Sequence, residues 1–352
     1  MLQRLLSLLF IILCAASASH QLMAEGNAPK GCAFYIAVFD TSKKDQGSAI
    51  KAGMNLEGVK VLSSPTTAPQ QVMIAEYSTL SQSQLFFRVG GRILTVIAPN
   101  LCLDTKGGNV GTDLIVYTYN LNNNQANQQF ECSSDGYLIC KCENNNRAAY
   151  IKENKVFLDV KKEKPAHTFV QIPVLIYLYN AETKRYITSG DSKANAEPWT
   201  TAYGSPDDSK LFFLVPDRNT AGYFYIVPKK YMGKCLDIRG SVDTGNDIVT
   251  WNIGTPSVQK NQIFHFEASS GFIVNALNAK GEKRVISVDS SNGNLRFGVP
   301  GKGLEKYEKW NVFPADHPGP APPPVKRAEE VKQSPTIKRL PCEDGLYAAP
   351  AA

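Results

Sequence analysis

The sequence predicts an all-β protein: two tandem domains of short strands, each a closed threefold barrel, followed by a proline-rich tail. Three observations predict it. First, a long stretch occurs twice, as CLDTKGGNVGTDLIVYTYNLNNNQANQQF from Cys102 and as CLDIRGSVDTGNDIVTWNIGTPSVQKNQIFHF from Cys235. Second, a finer period of about 45 residues runs through each half, and its repeats close on an aromatic. Third, after Pro314 the composition shifts to PADHPGPAPPPVKRAEEVKQSPTIKRL, too rich in proline and too poor in apolar residues to build a core.

The chain opens with Arg4, an apolar run LLSLLFIILCAA and the small residues Ala16-Ser17-Ala18, which read as a signal peptide over residues 1–18. The run is too short for an ordinary membrane span. No later segment is long and apolar enough to cross a membrane, so the expected mature chain is exported, extracellular and soluble. Removing Cys14 from the eight cysteines leaves Cys32, Cys102, Cys132, Cys140, Cys142, Cys235 and Cys342. Their odd number implies a free thiol or a bridge to another chain. Cys132, Cys140 and Cys142 crowd one hairpin and can supply a local disulfide. Cys102 and Cys235 read as buried apolar residues.

Short β-type runs between turn residues fill residues 32–173: Phe34–Phe39, Lys60–Leu62, Leu85–Val89 and Ile93–Ile97 among them. Residues 174–315 repeat the pattern. Tyr35–Lys44 resembles Ile176–Arg185, and Ser83-Gln84-Leu85-Phe86-Phe87 matches Ser209-Lys210-Leu211-Phe212-Phe213. These echoes flank the duplicated stretch in the same order, so the unit copied is the whole half-chain, roughly 140 residues and one domain's worth. Three repeats of the first half close on Gln84-Leu85-Phe86, Gln128-Gln129-Phe130 and Phe169. Those of the second close on Lys210-Leu211-Phe212, Gln262-Ile263-Phe264 and Glu308-Lys309-Trp310. Closure into a barrel removes exposed sheet edges. Trp199 and Trp310 read as packing residues. The tail, 316–352, is expected to be extended and mobile, and Cys342 near its end is the thiol best placed to join a partner chain.

Aligned on Cys-Leu-Asp, the two copies keep Gly111 with Gly245, Tyr117 with Trp251, and Asn127-Gln128-x-Phe130 with Asn261-Gln262-x-Phe264. Asn127 lies 23 residues after Asp104, and Asn261 lies 24 after Asp237. An acceptor-only carboxylate, a flat ring and an amide that both donates and accepts suit a sugar. Hydroxyls meet the carboxylate and amide, while the C–H face of the pyranose lies on the ring. Only the middle repeat of each half carries this set.

In these residues the chain resembles the ricin B-type lectin family, whose repeats end in Gln-x-Trp. The resemblance implies a β-trefoil in each half and sugar contact by Asp237, Trp251, Asn261 and Gln262 in one site and by Asp104, Tyr117, Asn127 and Gln128 in the other. It implies a secreted lectin for galactose-type sugars on cell-surface glycans or glycoproteins. The chain departs from the family in three places. Apolar Ile115 and Val249 stand where a polar residue often precedes the aromatic by two; Tyr119 and Ile253 stand where a second cysteine is expected; and phenylalanine replaces the closing tryptophan. Gln128 and Gln262 also suit a structural part, satisfying turn backbone groups while Phe130 and Phe264 fill the core.

Two rival classes follow from the same residues. One is a trefoil that has lost sugar binding and serves as a protein-interaction or adhesion scaffold. The other is a targeting subunit of a multi-chain, toxin-like assembly, joined through Cys342. No enzyme is expected: His20, His167, His265 and His317 sit in no nucleophile, metal or paired-carboxylate arrangement, and no phosphate loop or cofactor motif is present. The net charge of +6 is interspersed, which leaves no nucleic-acid footprint but favours approach to an anionic cell surface.

Overall fold

A computed structural model describes residues 31–42, 56, 58–106, 113–119, 125–142, 147–163, 166–190, 200–202, 207–239, 247–253, 260–275, 283–289, 291–301 and 305–315. The leader read at 1–18, the tail read at 316–352 with Cys342, and Trp199, Gly111 and Gly245 lie outside the described residues.

In the first half, barrel strands form at Phe34–Asp40, Phe86–Val89, Arg92–Thr95, Phe130–Cys132, Leu138–Cys140 and His167–Pro173. The first and last of them pair antiparallel along their whole length, Phe34 opposite Pro173 and Asp40 opposite His167, which closes the sheet. Between them stand three hairpins: Lys60–Ser63 with Met73–Glu76, Leu101–Thr105 with Leu114–Thr118, and Arg147–Lys152 with Lys155–Val160. The second half repeats this order. Its barrel strands are Leu175–Asn180, Phe212–Pro216, Phe224–Pro228, Ile263–Glu267, Phe272–Asn275 and Trp310–Pro314, closed by pairing of the first with the last. Its hairpins are Arg185–Ile187 with Thr200–Ala202, Lys234–Ile238 with Ile248–Asn252, and Val285–Val288 with Leu295–Gly298. A six-stranded closed barrel with three hairpins in threefold order is a β-trefoil, and the chain holds two in tandem. Among the described residues, α-helix is confined to Glu305–Glu308.

The strand Phe34–Asp40 shows why the sequence builds this. Its β-branched and aromatic residues alternate faces, and both faces are apolar. Phe34, Ile36 and Val38 enter the first barrel's core beside Leu62, Phe86, Phe130 and Phe169. Tyr35, Ala37 and Phe39 belong to a second cluster that continues into Ile176, Phe212, Phe264 and Trp310 of the other half. The halves therefore share buried surface and are backbone-linked: Ala33 N–H donates to the Leu214 carbonyl at 2.6 Å and Val174 N–H to Ala33 at 2.8 Å.

Each of the six repeats closes on a buried aromatic, Phe86, Phe130, Phe169, Phe212, Phe264 or Trp310. Burying one such ring contributes about 1.5–3 kcal/mol. Three of the closures begin with a one-turn 3₁₀ segment, Gln82–Gln84, Ala126–Gln128 and Lys260–Gln262, whose last glutamine is buried. That amide ties the turn to the preceding hairpin: Gln84 donates to the Glu76 carbonyl, Gln128 to Thr118 and Gln262 to Asn252, at 2.7, 3.2 and 3.0 Å. Trp310 supplies both ring volume and an indole N–H donated to the Ile286 carbonyl at 2.9 Å.

Candidate functional site

The duplicated stretch folds as the middle hairpin of each trefoil followed by its 3₁₀ turn. Asp104 lies opposite Ile115 and Cys102 opposite Tyr117; Asp237 lies opposite Val249 and Cys235 opposite Trp251. Strand residues two apart share a face, so each carboxylate and its ring are diagonal neighbours on one side of a hairpin. The intervening Leu103, Val116, Leu236 and Thr250 point the other way and are buried. Register alone brings Asp and aromatic together.

The turn then clamps the carboxylate. Asn127 Nδ2 donates to Asp104 Oδ1 at 2.6 Å and Gln128 Nε2 to Oδ2 at 2.8 Å. In the second copy Asn261 Nδ2 donates to Asp237 Oδ1 at 2.7 Å and Gln262 Nε2 to Oδ2 at 2.6 Å. Each oxygen thus takes a charge-assisted bond from a side-chain amide, and Asp104 takes a further one from the Thr105 backbone. Burial raises the pKa of both carboxyls, and the glutamine and asparagine bonds offset part of that rise.

The members of each set differ in exposure. Tyr117 is 47% and Trp251 41% exposed, whereas Asp104 and Asp237 are 4% and 5% exposed. Asn127 and Asn261 are half-buried at the rim, and Gln128 and Gln262 are enclosed. The glutamines therefore face the carboxylate and the hairpin backbone rather than solvent, and they position the aspartate. What remains to meet a ligand is an open ring face, a rim asparagine and the edge of a pre-oriented carboxylate.

Across the hairpin from each ring stands a thiol. Cys102 and Cys235 are fully buried and unpaired, as their apolar sequence context predicts. Burial pushes the Cys102 thiol up to about 12 and Cys235 well above the ordinary range. Of the crowded cysteines, Cys140 and Cys142 are the two whose sulfurs adjoin, with Cα atoms 5.2 Å apart.

Other hairpins hold the same register without the same chemistry. In the first repeat Ser63 and Ser83 replace the aspartate and asparagine, with Oγ atoms 3.5 Å apart, and Ala75 takes the ring's place. In the last repeat Ser287 lies opposite Arg296, and Gly298 stands where the ring would be. In the third repeat the types are exchanged: Tyr150 stacks on Phe157, ring centroids 5.5 Å apart, and Asp159 takes the ring's position. Nothing in a linear motif marks that exchange; it appears only when strand register is known. Among the described residues, no group of three His, Cys, Asp or Glu could hold a metal ion. No described helix is long and apolar enough to cross a membrane.

No family model and no curated protein matches the sequence. Solved structures similar to it include the designed threefold symmetric protein ThreeFoil, 18% identical, covering 40% of this chain and 97% of that one with a TM-score of 0.33. The agglutinin of Abrus precatorius is 13% identical over 82% of this chain and 100% of its own, TM-score 0.31. A non-toxic homologue of type II RIPs from Momordica charantia (bitter gourd), solved with α-methyl-D-galactoside, is 13% identical over 81% and 98%, TM-score 0.32. The fold assignment stands on this chain's own strand pairing: two closed β-trefoils in tandem.

Proposed function

We propose that this chain is a secreted carbohydrate-binding protein, a lectin that recognises galactose-type glycans on cell surfaces through the middle hairpin of each trefoil. The supporting observation is the twice-built juxtaposition of an exposed flat ring with a carboxylate already held by two amides. In this reading Trp251 and Tyr117 stack on the pyranose C–H face. Asp237 and Asp104 accept from adjacent hydroxyls, and Asn261 and Asn127 fix the sugar from the rim. Gln262 and Gln128 act through the aspartates as positioning residues. Holding the carboxylate in advance lowers the ordering cost of binding. Galactose-type preference follows from the motif resemblance. Two sites on one chain strengthen attachment to a cell surface by engaging it together.

The test is a fluorescence titration of the full chain with β-galactosides. Among the described residues Trp251 is the exposed indole and Trp310 a buried one. Saturable change in emission with reduced acrylamide quenching, lost in Trp251→Phe, is the expected result. A folded chain whose quenching is indifferent to any glycoside would instead favour a protein-binding scaffold.

A further inference from the structure

The two sites share register and clamp, yet their surroundings differ in charge in a systematic way. Equivalent positions can be matched by backbone bonds. Val96 N–H donates to the Leu85 carbonyl as Lys229 does to Leu211, and Tyr119 donates to Asn100 as Ile253 does to Gly233. Between those anchors the spacing is identical, so Ile97 corresponds to Lys230. Leu101, opposite Thr118, corresponds to Lys234, opposite Asn252. In the 3₁₀ turns Ala126 corresponds to Lys260, directly before the clamping asparagine. Four apolar positions along the first hairpin and its turns are thus all lysine in the second, of which Lys234 projects from the strand face opposite Asp237.

Two other charges differ between the copies: Arg92, which acts on the buried Cys102 of the first site, has the uncharged Tyr225 as its register counterpart, and Asp217 lies near Tyr225 in the second half. Lys106 pairs with Asp113 at 3.5 Å beside the first site; beside the second, Asp247 pairs with Arg239 at 3.4 Å and also with Arg296, which in turn reaches Asp289 at 3.5 Å. Lys229 is neutralised by Asp208 at 2.8 Å. Lys230 and Lys260 are exposed, and among the described residues neither pairs with a carboxylate. In sequence, the connections at 240–246 and 254–259 contribute one acidic residue, Asp243. Arg92 therefore offsets Asp104 in the first site, whereas among the described residues the exposed Lys230 and Lys260 stand beside Asp237 in the second without carboxylate partners.

We propose that the second site takes anionic glycans, sugars carrying a carboxylate or a sulfate, and that the first takes neutral ones. This rests on the glycan-binding reading of both hairpins. An acidic substituent is repelled by the aspartate in either site; Arg92 does no more than offset Asp104 in the first, whereas the exposed Lys230 and Lys260 reverse the sign in the second. A protein with one neutral-reading and one acid-reading site recognises surfaces that display both kinds of sugar end.

The experiment isolates each site in the full chain by removing an exposed ring, Tyr117→Ala or Trp251→Ala, and measures binding to matched neutral, sialylated and sulfated β-galactosides. Tyr117→Ala, which leaves the second site, is expected to prefer both acidic forms, and the preference should shrink as salt rises. Adding Lys230→Ala and Lys260→Ala should weaken acidic binding by roughly threefold per lysine while neutral binding holds, since exposed charge pairs contribute well under the 1.4 kcal/mol that equals tenfold. Trp251→Ala should show no acidic preference. Preference for one acidic form alone would narrow the ligand to a carboxylated or a sulfated sugar and still support the charge assignment. Equal acidic and neutral binding by Tyr117→Ala, or a preference that survives loss of both lysines, overturns it. If no variant and not the native chain binds any glycan, the underlying lectin reading fails, an outcome distinct from binding without charge selectivity.

Discussion

Replacing Gln262 with leucine tests whether the buried amide holds the second site together. Leucine nearly keeps the side-chain volume and deletes both donated bonds, one to Asp237 Oδ2 at 2.6 Å and one to the Asn252 carbonyl at 3.0 Å. A bond to a charged acceptor contributes about 1.5–3 kcal/mol and one to a backbone carbonyl about 1 kcal/mol. Water cannot easily replace either at an enclosed position, so the variant should lose about 2.5–4 kcal/mol. The assay is urea unfolding of the full chain followed by circular dichroism, in which the midpoint should fall while the slope stays constant. Asn261→Ala is the control. It removes a bond to Asp237 at 2.7 Å and a long one to the Ile238 carbonyl at 3.5 Å, from a half-buried position that water can reach. Its stability cost should be about 1 kcal/mol or less, yet its effect on sugar binding should be large. A Gln262→Leu loss below about 0.5 kcal/mol, or the reverse order of the two variants, would refute the assignment of glutamine to positioning and asparagine to contact.

Sugar binding should weaken on acidification at a pH above the ordinary aspartate range, about 3.9, because burial raises both carboxyls and binding needs their ionised form. Stability from these two groups runs the other way: a raised folded-state pKa favours the fold below the unfolded value and loses that contribution as pH rises through the folded one. Isothermal titration across pH checks this, and affinity unchanged down to about pH 4 would count against it. Cys102 and Cys235 should resist alkylation in the native chain and react in urea, as mass spectrometry of labelled peptides can show, because burial keeps both thiols protonated. Gly136→Ala should cost more than about 1–2 kcal/mol, the usual penalty for a left-handed backbone. Its φ is +87°, and a Cβ there would sit 2.7 Å from Thr168 Cγ2. A midpoint unmoved in urea would contradict that.

The trefoil was legible because its spacing survives where its chemistry has not. Phe86, Phe130, Phe169, Phe212, Phe264 and Trp310 recur at a period fixed by core geometry, and all six are buried. The pairing of Asp with its ring was legible for a related reason: both occur in two copies that align without disturbance. The roles within the set were harder to read. Asn127 and Gln128 are adjacent in sequence, but the turn sends one to the rim and the other inward, a distinction made by three-dimensional closure against Thr118. The lysine asymmetry escaped a motif reading because it lies in residues that differ between the copies, whereas a repeat search attends to those that agree. The shared core around Tyr35 and Phe39 was invisible for a third reason: a strand buried on both faces does not reveal which neighbour covers the second face.

The most direct test of the central claim is a glycan array of the full chain beside Tyr117→Ala, Trp251→Ala and the double variant, each first shown to be folded. Both rings are exposed, so their removal leaves the core and the clamp intact. Galactose-terminated glycans should bind the native chain, bind each single variant more weakly, and bind the double variant not at all. Undiminished binding by the double variant would place recognition elsewhere on the trefoils and contradict the account.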